Sequence, residues 1–306
     1  MQFSNLNYQK IKKEYLKFLK SQEVLTEPFR DKIGQLNKFY LPISKKIFEN
    51  YQKNKKTKII GLTGGQGSGK STISNILKII LKKNFNLETV TFSIDDFYKT
   101  LKERKIISKR VSPLFQTRGV PGTHDTKLLL SCLKTLKRSK INKTFFIPKF
   151  DKSIDDRFPK KKWQKIEKKP EIVIFEGWCV GAKPQKNKDL LVPINTLEKE
   201  NDKKRIWRNR VNNELKNDYK KIFKFIDNFI FLKVPNFKYV LKWRLLQEKK
   251  LKVVSKGKKI MDKNQIKNFV MFYERLTKHM LKNFDKDSDI IIKIDNKHRL
   301  KSIKFI

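Results

Sequence analysis

The sequence predicts an α/β fold: a doubly wound parallel sheet of about five strands, with helices on both faces and a helical cap at the N-terminus. Three observations carry this expectation. Short apolar runs rich in Ile, Val and Phe alternate with helical stretches, the pattern of βαβ units. Glycine is scarce, 11 of 306 residues, and is concentrated in three places. The first of these clusters stands between an apolar run and a helical pattern, where a loop that closely approaches a ligand needs residues free of a Cβ.

The elements follow in order. Residues 1–57 read as amphipathic helix, with Ile11, Tyr15, Phe18 and Leu19 at helical spacing, and hold no catalytic-looking cluster, so they are expected to cap the main domain. The main domain, 58–306, opens with the strand Lys58-Ile59-Ile60-Gly61-Leu62, then a Gly-rich loop, then a helix through Ile73, Ile76, Leu77 and Ile80. Further strands are expected at 88–94, 171–175, 228–232 and 289–294. Residues 183–226 are polar, rich in Lys and Asn, devoid of Gly and helical in pattern. No internal repeat and no Ser/Gly linker interrupts the chain.

Composition excludes several classes. A chain of 306 residues with 38% hydrophobic and 11% aromatic content can bury a core and is not disordered. No apolar run approaches the roughly 18 residues of a membrane span, and the N-terminus lacks a secretory pattern. Two cysteines, Cys132 and Cys179, supply neither a disulfide framework nor a zinc site by themselves, and Cys179 reads as a small buried residue; a cytoplasmic setting is expected. The net charge of +44 is the usual footprint of a nucleic-acid or anionic-membrane binder. However, 62 of the 74 basic residues are Lys, spread along the chain, and Ala occurs once. That slant is what AT-rich codons produce on solvated faces, so nucleic acid is not the expected partner.

Against this background Gly64-Gly65-Gln66-Gly67-Ser68-Gly69-Lys70-Ser71 fits G-x-x-x-x-G-K-[ST]. Its place after a strand and before a helix gives an anion nest of backbone N–H groups and the positive end of a helix dipole. Lys70 is expected at the β- and γ-phosphates of ATP, the Ser71 hydroxyl on Mg²⁺, and Thr72 beside them. The fold is therefore expected to be of P-loop NTPase type. No N-K-x-D guanine motif is present, which argues against a GTPase.

Ser93-Ile94-Asp95-Asp96-Phe97-Tyr98 puts two carboxylates at the carboxyl end of the second strand, where open α/β sheets bind ligands. A kinase needs a group there to orient the acceptor hydroxyl and take its proton; Asp95 is assigned that role and Asp96 a share in Mg²⁺, while helix capping is the structural alternative for both. Glu176, directly after the apolar third strand, occupies the Walker B position and would hold Mg²⁺ through water. Arg is rare yet occurs at Arg118 and Arg157, where a planar clamp on a carboxylate would serve a small anionic acceptor. His124, Asp125 and Lys152 lie in the same middle segment, His124 with a structural role as its alternative.

Together the loop, S-I-D-D-F-Y, R-G-x-P-G-T-H-D, P-K-F-D-K-S, F-E-G-W-x-x-G and W-R-x-x-Q-E resemble the D-glycerate 3-kinases of plants and cyanobacteria and related fungal ATP-dependent kinases. Those belong with uridine kinase, phosphoribulokinase and pantothenate kinase. The resemblance runs from about Lys58 to Phe284 and implies Mg-ATP-dependent phosphorylation of D-glycerate to 3-phosphoglycerate. It also implies that residues 109–170 bind the acceptor and that 236–284 form a lid and C-terminal helices. By resemblance Arg244 is the lid arginine that stabilises the transferring phosphoryl group; pairing with Glu248 at i+4 is its structural alternative. The stretch Asp151–Arg157 is shorter than the Gly-rich equivalent in glycerate kinases, and Val120 replaces an Asn common in the plant form.

Two other functions fit parts of the pattern. One is a kinase for another hydroxylated metabolite, a nucleoside or pantothenate. The other is a nucleic-acid-binding NTPase, suggested by Lys203-Lys204-Arg205-Ile206-Trp207-Arg208-Asn209-Arg210, a run otherwise read as an exposed helix face.

Overall fold

Strands apolar on both faces must be covered on both, and the five long apolar runs all become parallel strands at the centre of the molecule. The computed structural model describes residues 5–23, 28–138, 144–254 and 261–306; residues 1–4, 24–27, 139–143 and 255–260, parts of the expected cap, acceptor and lid segments, lie outside the described residues. In chain order the N-terminal helices are α1 (Asn5–Gln22), α2 (Lys32–Gln35) and α3 (Leu41–Gln52). The sheet begins with β1 (Lys58–Gly64), α4 (Lys70–Phe85) and β2 (Thr89–Ser93). The middle segment holds α5 (Leu101–Arg110), α6 (Thr126–Leu136), β3 (Phe145–Ile147), β4 (Phe150–Asp151), β5 (Asp156–Arg157) and β6 (Gln164–Ile166). There follow β7 (Ile172–Gly177), α7 (Thr196–Asn201), α8 (Ile206–Glu214), α9 (Lys220–Phe223) and β8 (Asn228–Lys233). The chain closes with α10 (Phe237–Val254), α11 (Lys263–Asn283), β9 (Ile290–Ile294) and β10 (Leu300–Phe305).

The sheet order is β10-β9-β8-β1-β7-β2, with β9, β8, β1, β7 and β2 mutually parallel and β10 antiparallel to β9. Because successive side chains point to opposite faces, each strand feeds two cores. Ile60, Leu62, Ile172, Ile174, Ile230 and Leu232 join one core with Ile11, Tyr15 and Ile43 of the N-terminal helices and Ile73, Ile76 and Leu77 of α4. Ile59, Val173, Phe175 and Phe231 join the other with Leu129 and Leu133 of α6 and Tyr273 and Leu276 of α11. The fold is the expected one, and the N-terminal helices share a core with the sheet.

Six strands stand where about five were expected. The sixth, β10, is the sequence Leu-Lys-Ser-Ile-Lys-Phe, mostly exposed, and its Lys residues at the sheet edge hid it from a search for apolar runs. In the middle segment β3 pairs with β6 and, nested inside, β4 pairs with β5. The turn between β4 and β5 carries Lys152 and ends at Asp155, whose φ of 59° is left-handed.

A basic helix face was one reading of residues 203–210; the structure turns part of it inward. Trp207 is buried, and Arg208, also buried, is paired with Asp202 at 2.9 Å, while Arg210 is tied to Glu214 at 2.7 Å. Two of the run's three arginines, Arg208 and Arg210, are thus held by acids within the protein.

Candidate active site

The register of the parallel strands places three loop starts side by side: Leu62 of β1 and Ser93 of β2 both pair with Glu176 of β7. Everything that follows these residues is displayed at one edge, the carboxyl edge of the sheet.

The loop after β1 turns sharply at Gly67 (φ 74°) and Gly69 (φ 88°) before α4 begins. Such angles favour glycine, and at Gly67 a Cβ would also sit 2.9 Å from the Trp243 Cβ of α10. The first intrahelical bond is Ile73 N to Gly69 O, 2.9 Å, so the N–H groups of Lys70, Ser71 and Thr72 have no partner in the helix ladder. The Ser68 hydroxyl and both amide atoms of the Gln66 side chain are buried without hydrogen-bond partners. Donors in excess around a nest at a helix N-terminus fit a polyphosphate. Lys70 Nζ donates to Gly64 O and Gly65 O, both at 3.0 Å, folding back over the loop. Burial pushes its pKa down, opposed by the charges of Glu176 and Asp95.

Ser71 Oγ donates to Glu176 Oε1 at 2.8 Å. Burial raises the Glu176 carboxyl, with Lys70 and the Ser71 hydrogen bond acting against it. The pair offers hard oxygen ligands, the set that a hard cation sharing its shell with phosphates and water requires.

Asp95 lies on the short 3₁₀ turn after β2. Its Oδ2 meets Lys152 Nζ at 2.8 Å and its Oδ1 accepts from Tyr98 Oη at 2.9 Å. Burial alone would raise this carboxyl, but the Lys152 charge and hydrogen bond, with His124 and Tyr98 behind them, hold it well below the usual carboxylate range. Asp95, Glu176, Lys70 and Lys152 thus form one electrostatic group. Asp96 is engaged otherwise: its Oδ2 accepts from Ser93 N at 3.1 Å, closing a capping box whose N-cap is Ser93, and meets Lys149 Nζ at 2.8 Å.

His124 is fully buried, its ring stacked on Tyr98 at 4.5 Å. Its Nδ1 lies 2.5 Å from the Tyr219 oxygen, which also accepts from Gly122 N at 3.2 Å. Which of the two donates in this contact follows the ring's tautomer, and the other ring nitrogen, Nε2, is buried with no hydrogen-bond partner. Burial pushes the imidazole pKa down to about 3, so the ring is neutral at ordinary pH.

Asp125 caps α6, accepting from Leu128 N at 3.0 Å, and its second oxygen meets Arg157 Nη2 at 3.3 Å. Arg157 Nη2 also donates to Tyr98 O at 3.0 Å, while its Nε is buried without a partner. Arg118 is ion-paired with Asp155 and lies 5.5 Å over the Phe150 ring. Arg244 on α10 pairs with Glu248 at 2.7 Å, and its guanidinium stands 5.8 Å over Phe269 of α11.

The structure therefore brings Lys70, Ser71, Glu176, Asp95 and Lys152 together and sets Arg157, Asp125 and His124 around Tyr98, beside Asp95. Asp96 belongs to the cap and to Lys149. Several residues of this neighbourhood were not singled out from sequence. Tyr98 could have been, three residues beyond Asp95 in the same motif. Tyr219, Tyr273 and Arg104 come from distant helices with no motif of their own. Arg104 is fully buried and donates to Lys99 O (3.2 Å), Gln116 O (2.6 Å) and Asp155 O (2.7 Å), holding the β4–β5 turn.

Chemistry at such an edge moves a phosphoryl group held by the loop onto a hydroxyl held by an acid, which makes the protein a P-loop kinase by class. The phosphoribulokinase/uridine kinase family model matches residues 59–222, more than half of the chain. The protein belongs to the phosphoribulokinase/uridine kinase family and is an ATP-dependent phosphotransferase. The chain is 37% identical over 224 residues to the uncharacterized kinase mug58 of Schizosaccharomyces pombe, covering 70% of this chain and 78% of that protein. It is 28% identical over 222 residues to the chloroplastic D-glycerate 3-kinase of Arabidopsis thaliana, covering 70% of this chain and 46% of that protein. Among solved structures, D-glycerate 3-kinase from Cryptococcus neoformans var. grubii matches with a TM-score of 0.72 at 24% identity, over 87% of this chain and 99% of that one, a likeness of fold. Among the described residues no helix is long and apolar enough to cross a membrane.

Proposed function

We propose that this kinase transfers the γ-phosphoryl group of Mg-ATP to D-glycerate, giving 3-phosphoglycerate. The observation that carries the reading is the Asp95–Lys152 pair, 2.8 Å apart, in one electrostatic group with Lys70 and Glu176. A carboxylate and a cation at the acceptor position suit a small molecule with a hydroxyl and an anionic group. Likeness in sequence to a D-glycerate 3-kinase supports the same choice.

In this reading the backbone N–H groups of Gly64 to Thr72 and Lys70 hold the phosphates, and Ser71 and Glu176 hold Mg²⁺. Bound there, Mg²⁺ would supply positive charge to offset the negative charge of the phosphate oxygens. Asp95 orients the 3-hydroxyl and takes its proton as the new O–P bond forms. Residues 109–170 bind the acceptor through Lys152, Arg157, Arg118, His124 and Asp125. Residues 236–284 cover the phosphates, with Arg244 exchanging Glu248 for the transferring group. A cytoplasmic setting is part of the reading, supported by two cysteines that are buried and free.

One observation favours a second acceptor class. Arg118 and Arg157 already have carboxylate partners in Asp155 and Asp125, so a clamp on the acceptor would have to displace them. A kinase for another hydroxylated metabolite would leave those pairs intact. The deciding experiment incubates the purified protein with Mg-ATP and a panel of D-glycerate, L-glycerate, glycerol, pantothenate and uridine, and identifies the phosphorylated product by mass spectrometry. D-glycerate is expected to be phosphorylated with the highest kcat/KM. Phosphorylation of pantothenate or uridine with D-glycerate inert would overturn the assignment.

A further inference from the structure

We infer that Lys152 is a latch on Asp95 which an anionic acceptor opens, so that the site favours acid substrates and suppresses transfer to water. The inference rests on the assignment of Asp95 as the group that orients the attacking hydroxyl.

Both oxygens of Asp95 already hold a donor, Lys152 on Oδ2 and Tyr98 on Oδ1. The two donors differ in kind. Tyr98 is 2% exposed and pinned between the His124 and Phe150 rings, so it stays. Lys152 reaches in from a turn, and its side chain is 60% exposed against 27% for Asp95. It therefore covers Asp95 from the more exposed flank, opposite in kind to the buried Tyr98. An attacking hydroxyl and the Lys152 ammonium compete for the same oxygen.

An acceptor with its own carboxylate resolves the competition. Its negative charge gives Lys152 a second partner, so the ammonium can swing from Asp95 to the substrate while the substrate hydroxyl takes the vacated place. Binding energy at the anionic end is then used to free the base at the reacting end. A neutral polyol offers no such exchange. Water offers none either, although its attack is chemically possible: the water oxygen bonds to the γ-phosphorus, the bond to the bridging oxygen breaks to leave ADP, and a water proton passes to Asp95. With Asp95 latched, that water is not oriented.

The experiment measures ADP release without any acceptor, and transfer to D-glycerate and to glycerol, in wild type, Lys152→Met, Lys152→Gln, Lys152→Arg and the double variant Lys152→Met/Asp95→Asn. Lys152→Met and Lys152→Gln are expected to raise acceptor-free hydrolysis about tenfold, a part of the roughly 10²–10⁴-fold that an oriented base supplies. They should also lower the ratio of glycerate to glycerol kcat/KM by about tenfold. Lys152→Arg keeps a cation beside Asp95 and should raise acceptor-free hydrolysis less than Lys152→Met does. The double variant should lose the added hydrolysis, because the freed base is gone. Hydrolysis that is unchanged or lower in both Lys152→Met and Lys152→Gln overturns the latch. The readout does not depend on glycerate: wild type inert to glycerate with hydrolysis raised in Lys152→Met sinks the acceptor assignment and keeps the latch.

Discussion

At the residue scale the buried groups around Asp95 differ in how their charge responds to pH. His124 sits in an environment that holds its pKa at about 3, whereas an unfolded chain leaves it near 6.5. The unfolded state therefore binds a proton that the folded state refuses, and stability is present above pH 6.5 and lost as pH falls from there toward 3. Urea unfolding at pH 7.5 and 5.5 should show a drop about 1.4 kcal/mol larger in wild type than in His124→Asn, which keeps an acceptor for Tyr219 but does not titrate. Equal drops would mean that the ring is not kept neutral. Sequence reasoning found His124 because a rare residue stood in a motif. It did not find Tyr219, 95 residues away, whose hydroxyl meets the ring at Nδ1. Nothing in the sequence ties a tyrosine in a polar helical stretch to an imidazole.

At the scale of elements, the acceptor side depends on a turn rather than on the sheet. The β4–β5 turn presents Lys152 from a two-stranded ribbon too short to be stable by itself. Its stiffness comes from Arg104 of α5, which donates to carbonyls of three separate segments and meets Asp155 Oδ2 at 3.0 Å. Arg104→Met should cost about 3 kcal/mol in chemical denaturation, since buried carbonyls lose their donor. It should also raise the KM for the acceptor several-fold while the KM for ATP changes less than about twofold. Equal changes in both constants would place Arg104 in general stability rather than in the turn. The strands and α4 were legible because apolar runs and helical spacing are local signals. The nested ribbon and β10 were not, because short polar strands exist through their pairing and leave no periodic trace.

At the scale of the whole molecule, the +44 charge has no single address. Two of the three arginines of the most concentrated basic run are drawn onto acids, Arg208 to Asp202 and Arg210 to Glu214. What is left is a diffuse field of Lys, and such a field acts over the Debye length, about 10 Å at 0.1 M salt. If it draws in anionic substrates, kcat/KM for the acid acceptor should fall several-fold between 50 and 500 mM KCl, while that for glycerol stays level. A flat profile for both would leave the charge without a part in capture.

By itself the sequence determined the α/β class, the phosphate loop and the acids at the strand ends. Each is a local pattern, a periodicity or a spacing that the backbone must obey wherever the rest of the chain goes. Tertiary structure alone decided which of the singled-out side chains meet. Parallel register put Ser71 against Glu176, and the β4–β5 turn put Lys152 on Asp95, while Asp96 was drawn into a cap and Arg118 and Arg157 onto other acids. The physical reason is that a carboxylate or a guanidinium takes the best partner within reach, and reach is set by packing between elements far apart in the chain.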